Sequence, residues 1–148
     1  MKNVIAVAGL AFALACGGPG PGAGVKNTCV NVGAATFSGT ESETFSTGAC
    51  PNSGPTPNSV TFAQAEGACS VTFTTTLLPA ITFAGNLKGS DLAWNGSYSL
   101  NGTLVTITSA TGTFSADLKS VSGTVQFTRS GGTGCTGTGT GTFSYTRP

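Results

Sequence analysis

The chain of 148 residues contains no histidine and very little charge, with six Lys and Arg against five Asp and Glu. Without histidine it lacks the side chain that most often serves as general base or metal ligand near neutral pH. Charge this sparse and this balanced excludes the basic face that captures a phosphate backbone, so no nucleic-acid partner is expected. The 39% of hydrophobic residues likewise excludes a chain kept disordered by self-repulsion. No apolar run reaches the roughly 20 residues needed to cross a bilayer as a helix. Catalytic signatures are missing too. There is no Gly-x-Ser-x-Gly elbow, no Ser-x-x-Lys, and no glycine-rich phosphate loop leading into a helix. The many Ser and Thr hydroxyls have no imidazole to activate them. Glu41 and Glu43 share parity on one short strand. Exposed acids on an edge strand are a commoner arrangement than a catalytic dyad, which needs one buried acid. No enzyme activity, catalytic residue, metal or cofactor is therefore expected.

What is present begins at the N-terminus. Met1-Lys2-Asn3 is a short basic head, and from Val4 to Ala15 every residue except Gly9 is apolar. A basic head, an apolar run of about a dozen residues and a small-residue end describe a secretory signal, expected as a helix over residues 1–15. Ala13-Leu14-Ala15-Cys16 resembles the lipobox that ends the signal of bacterial lipoprotein precursors. Ala15 and Cys16 fill the two most constrained lipobox positions, while Ala13 stands where Leu is usual and would also suit ordinary signal peptidase. The resemblance implies that Cys16 receives a diacylglyceryl group with palmitate-type chains and becomes the first mature residue. It also implies a bacterial cell-envelope address. Gly17 after the cysteine points to the outer membrane; a secreted or periplasmic protein is the alternative. Gly17 to Gly24 holds only Gly, Pro and Ala, so residues 16–28 read as a tether. Residues 29–148 form one domain.

With Cys16 acylated, Cys29, Cys50, Cys69 and Cys135 remain, an even number in an exported chain and hence two disulfides. Of three connectivities, Cys29–Cys50 with Cys69–Cys135 is the expected one, the first stapling the Pro- and Gly-rich stretch from Asn52 to Asn58. A zinc site would need all four thiolates and lacks close cysteine pairs.

Beyond the tether, apolar positions alternate with Thr and Ser, and turn residues recur at short intervals. This predicts an all-β antiparallel meander of eight to ten strands of five to nine residues, closing into an up-and-down barrel or packing as a sandwich. Val71 and Phe73 share one face; Leu92, Trp94, Tyr98 and Leu100 share another, with Gly96 marking a bulge. Asn101-Gly102 predicts a type I′ hairpin in which Leu100 faces Thr103 and Tyr98 faces Val105. Thr111-Gly112 and Lys119-Ser120 read as the next turns, and Asn95-Gly96 as a turn instead of a glycosylation site. From about Thr138, Gly139, Gly141, Phe143 and Tyr145 face inwards and the threonines face water.

The functional expectation is a lipid-anchored envelope protein with a structural or interaction role, its membrane partner reached through the anchor. The alternative is a carrier of a small hydrophobic ligand or a binder of envelope glycan. Trp94 and Tyr98 are the candidate ligand-binding residues. They read first as core, as cavity wall if the fold is a hollow barrel, and as a sugar-stacking platform if they point outwards. A lumen lined by Trp94, Phe114 and Phe127 would favour ligand carriage; a solid sandwich would favour the structural role.

Overall fold

The computed structural model describes residues 28–132 and 135–148. The expected signal helix, Cys16 and all but the last residue of the tether lie outside the described residues. The domain is all-β. Its strands are β1 (Ala35–Gly48), β2 (Ser53–Ala63), β3 (Ser70–Thr75), β4 (Phe83–Lys88), β5 (Asp91–Leu100), β6 (Thr103–Phe114), β7 (Ser120–Ser130) and β8 (Gly137–Thr146). Each pairs antiparallel with the next and β8 pairs with β1, so the sheet is a closed up-and-down barrel. The sandwich alternative is thereby set aside. Six of the eight strands exceed the expected nine residues, and the β1–β8 pairing runs from Ser38↔Thr146 to Gly48↔Gly137.

Period-two alternation sorts the wall. Thr and Ser face out, and several pair across strands by hydroxyl contacts, as in Thr36–Thr61 at 3.0 Å and Ser38–Ser59 at 2.8 Å. A polar exterior around an apolar interior is the reverse of a membrane-spanning barrel, which turns its apolar face outwards. The Asn101-Gly102 hairpin has its expected register, with both residues at positive φ (51° and 79°). In β8, Gly139, Gly141 and Tyr145 are buried while the intervening threonines are exposed.

Three readings need correction. Thr111-Gly112 is not a turn but lies inside β6, with Gly112 turned inwards. Asn95-Gly96 lies inside β5, and the bulge opposite it places the extra residue on β6, where Ile107 pairs with Gly96 but Ala110 pairs with Trp94. That insertion flips the parity of β6, so Val105 and Ile107 before it and Ala110 and Phe114 after it all face inwards. Strict alternation could not show this. The disulfides are Cys29–Cys69 and Cys50–Cys135, with Cα separations of 5.6 and 4.9 Å, not the expected pairs. Cys29 and Cys50 flank opposite ends of β1, which at about 3.3 Å per residue spans on the order of 45 Å. Barrel closure instead brings the far end of β1 against the start of β8, and so Cys50 against Cys135. Disulfides of this kind belong to an oxidising, non-cytoplasmic compartment.

The two ends differ. At the closed end, Phe37, Phe62 and Phe114 pack edge to face with centroids 5.4–5.9 Å apart, among buried Val71, Leu92 and Val121. The segment before β1 lies over this end. Val32 is buried, the Val30 amide donates to the Gly89 carbonyl at 2.9 Å, and Cys69 holds Cys29. The Gln64 side chain accepts from the Val32 amide and donates to the Val30 and Ala68 carbonyls, clamping the segment down. The open end carries the β1–β2, β3–β4, β5–β6 and β7–β8 connections.

Peptide mapping under non-reducing conditions should link Cys29 to Cys69 and Cys50 to Cys135. Replacing Cys50 and Cys135 together by Ser should lower unfolding free energy by about 2–5 kcal/mol, read from denaturant melts.

Candidate functional site: a one-ended aromatic cavity

Inward glycines create the space in the upper half of the barrel. A Cβ on Gly123 would lie 2.6 Å from the Phe143 ring, and one on Gly112 would lie 2.9 Å from it. Phe143 of β8 therefore lies flat across β7 and β6 and reaches Trp94 of β5, ring centroids 5.7 Å apart. Gly139 does the same for its neighbours. A Cβ there would meet Phe127 at 2.8 Å, so Phe127 of β7 and Phe45 of β1 can meet over β8 at 5.4 Å.

The result is a cavity of about 420 Å³ open at one end. That volume is in the range of small-molecule sites. Its wall is an unbroken run of rings. Phe143, stacked on the buried Tyr145 behind it, meets Trp94, Trp94 meets Phe73, Phe73 stacks on Phe83, and Phe83 meets Tyr98, with steps of 5.3–5.8 Å. Val105, Ile107 and Val125 supply the aliphatic side. Trp94 and Tyr98 thus stand on the cavity wall, half-buried, as the hollow-barrel reading required. Neither points outwards, so a sugar-stacking platform has no basis in this geometry. Phe127 also lines the cavity; Phe114 does not, being packed in the closed-end core.

Sequence reasoning missed the polar residues. Glu41 and Glu43 are not edge-strand acids: β1 is paired on both sides and both carboxylates border the cavity. Arg129 Nη2 donates to both oxygens of Glu43, at 2.7 and 2.8 Å, and the guanidinium sits 5.1 and 5.3 Å above the rings of Phe45 and Phe127. Below it, Glu41 Oε1 accepts from the Tyr145 hydroxyl and from Asn58 Nδ2 at 2.6 Å. Asn58, itself buried, accepts through Oδ1 from Thr76 Oγ1 at 2.8 Å and so ties Glu41 to the β3–β4 loop. The signal was present: Phe37, Gly39, Glu41, Glu43 and Phe45 share one parity, and the Phe at each end marks that parity as inward.

The wall has a lateral notch at the open end. β2 pairs with β3 only from Val60 onwards, and β5 pairs with β4 only as far as Trp94. Pro55 and Pro57 sit on this stretch of β2, which pairs with β1 but lacks β3 on its other side, where a missing amide costs nothing. The loop from Thr76 to Thr82 spans the notch with Leu77-Leu78-Pro79-Ala80-Ile81. Among the described residues the large exposed apolar side chains are Leu77, Leu100 and Leu104, all at this end, and the first two line the cavity mouth.

Burial raises the Tyr98 phenol above its ordinary 10.0; nearby Arg129 opposes the rise, and Glu43 and Glu41 add to it. Tyr145 is raised much further, by burial first and then by its hydrogen bond to the Glu41 carboxylate. These are the only two tyrosines in the chain. A spectrophotometric titration of the folded protein should therefore show no phenolate with a midpoint at 10.0. Because the fold favours the neutral phenols, their contribution to stability is intact below that pH and declines as pH rises past it. A tyrosinate step at the ordinary pH in the folded protein would contradict the geometry. Compared with known protein families, curated proteins and solved structures, the chain matches none.

Proposed function

We propose that this protein is an exported, lipid-anchored carrier of small hydrophobic molecules in a bacterial cell envelope, with the ligand held in the barrel cavity. The observation that carries the reading is the cavity of about 420 Å³, walled by aromatic rings, closed below and open above. A barrel that served only as a spacer or adhesive would gain stability by filling that volume, since each missing contact weakens a core. Here inward glycines keep it clear. The apolar side chains left exposed at the mouth give an entering ligand an apolar path.

The anchor reading rests on the lipobox-like Ala13-Leu14-Ala15-Cys16 and on the pairing of the other four cysteines with one another. The outer membrane is the expected membrane, from Gly17. The chain enters the barrel at the closed end, where Cys29 is bonded to Cys69. A tether rooted there leaves the mouth on the side away from its root, free to exchange ligand.

Binding is tested with N-phenyl-1-naphthylamine, a neutral apolar dye. It should bind saturably with quenching of Trp94, the sole tryptophan. Val125→Trp, which fills the cavity, should weaken binding about tenfold or more. No saturable binding, or binding indifferent to Val125→Trp in a folded variant, would refute carriage. The anchor has its own test. Mass spectrometry of the mature protein should find a diacylglyceryl mass on Cys16, and Cys16→Ala should leave the membrane fraction; an unmodified Cys16 would refute the anchor.

A further inference from the structure

The charged groups that border the cavity are unevenly compensated. Three charged side chains face inwards among the described residues: Glu41, Glu43 and Arg129. Arg129 is paired with a carboxylate. One nitrogen bridges both oxygens of Glu43, and its faces lie on Phe45 and Phe127. The Glu43 carboxylate neutralises its charge, so the pair offers an anion no net positive charge. Glu41 is different. Both of its hydrogen bonds, from Tyr145 and Asn58, fall on Oε1, and Oε2 has no donor among the described residues. The other described cations stand elsewhere. Lys88 and Lys119 are exposed, and Arg147 lies over Phe37 at the closed end. The lumen therefore carries one uncompensated negative charge.

The surroundings of that charge are aromatic. Glu41 pairs in register with Phe143, whose ring leads on to Trp94 and Phe73. Ring faces carry negative quadrupole potential and attract cations. An apolar ligand without a donor would also strip water from Oε2 and give nothing back, a loss that an ammonium group removes. We infer that the ligand is an organic cation: an apolar body of modest size carrying an ammonium group, its charge set against Glu41 and the rings beside it. This rests on the carrier reading and adds to it the sign of the ligand's charge.

The test uses three probes of similar length, octyltrimethylammonium, 1-octanol and octanoate, each displacing bound N-phenyl-1-naphthylamine. The cation should bind about tenfold or more tightly than the alcohol, and octanoate should bind least. Glu41→Gln keeps an oxygen to accept from Tyr145 and Asn58 but removes the charge, and should shrink the cation-to-alcohol ratio to about threefold or less. Glu43→Gln, which releases Arg129, should shift the ratio the same way and strengthen octanoate. If the alcohol displaces the dye as well as the cation does, or if neither variant alters the ratio, the inference falls while carriage stands. If neither the dye nor any probe binds, both fall together.

Discussion

The seam between β1 and β8 is the constraint on which the structure depends. It is the last pairing that an up-and-down meander makes and the one with the greatest separation in sequence, and it turns an open sheet with two edges into a closed wall. The Cys50–Cys135 disulfide, the Glu43–Arg129 ion pair, the Glu41–Tyr145 hydrogen bond and the Phe45–Phe127 contact all join β1, or the loop after it, to β7, to β8 or to the loop between them. None of these would exist in an open sheet. The site is thus a consequence of closure, assembled from residues about 100 positions apart in sequence, such as Glu41 and Tyr145.

Closure alone would give a filled cylinder, since eight strands enclose an interior that side chains can occupy. Two devices leave it hollow at one end. The first is the placement of inward glycines on β6, β7 and β8, above the Phe37, Phe62 and Phe114 cluster that fills the closed end. The second is the reach of Phe143 and Phe127 across those glycines, which lays rings flat along the wall instead of pointing them to the axis. The closed end meanwhile receives the segment from Thr28 to Ala34 and its disulfide, so the two ends are different in kind. One is a packed core with a staple, and the other is a mouth with exposed leucines.

Much of the fold was legible because the wall obeys period-two alternation. The Asn101-Gly102 hairpin, the inward face of β8 and the all-β meander follow from local pattern, and among the described residues no helix competes with them. The departures have local causes. The bulge on β6 switches parity in mid-strand, so Gly112 reads as a turn when it is a packing position. The disulfide pairing depends on which strand ends meet, and that is a property of closure instead of spacing. The candidate site was half legible. Trp94 and Tyr98 stood out as aromatics sharing a face, whereas Glu41 and Glu43 were read as surface acids because charged residues seldom point into a barrel. The phenylalanines on either side of them, Phe37 and Phe45, carried the opposite message.

Hydrogen exchange across the seam tests this account most directly. Amides in the β1–β8 ladder should exchange as slowly as those between β6 and β7, the protection expected of a wall with no free edge. If the β1 and β8 amides that face each other exchange as fast as surface loops, the barrel is open, and the ion pair, the carboxylate site and the cavity built across the seam go with it.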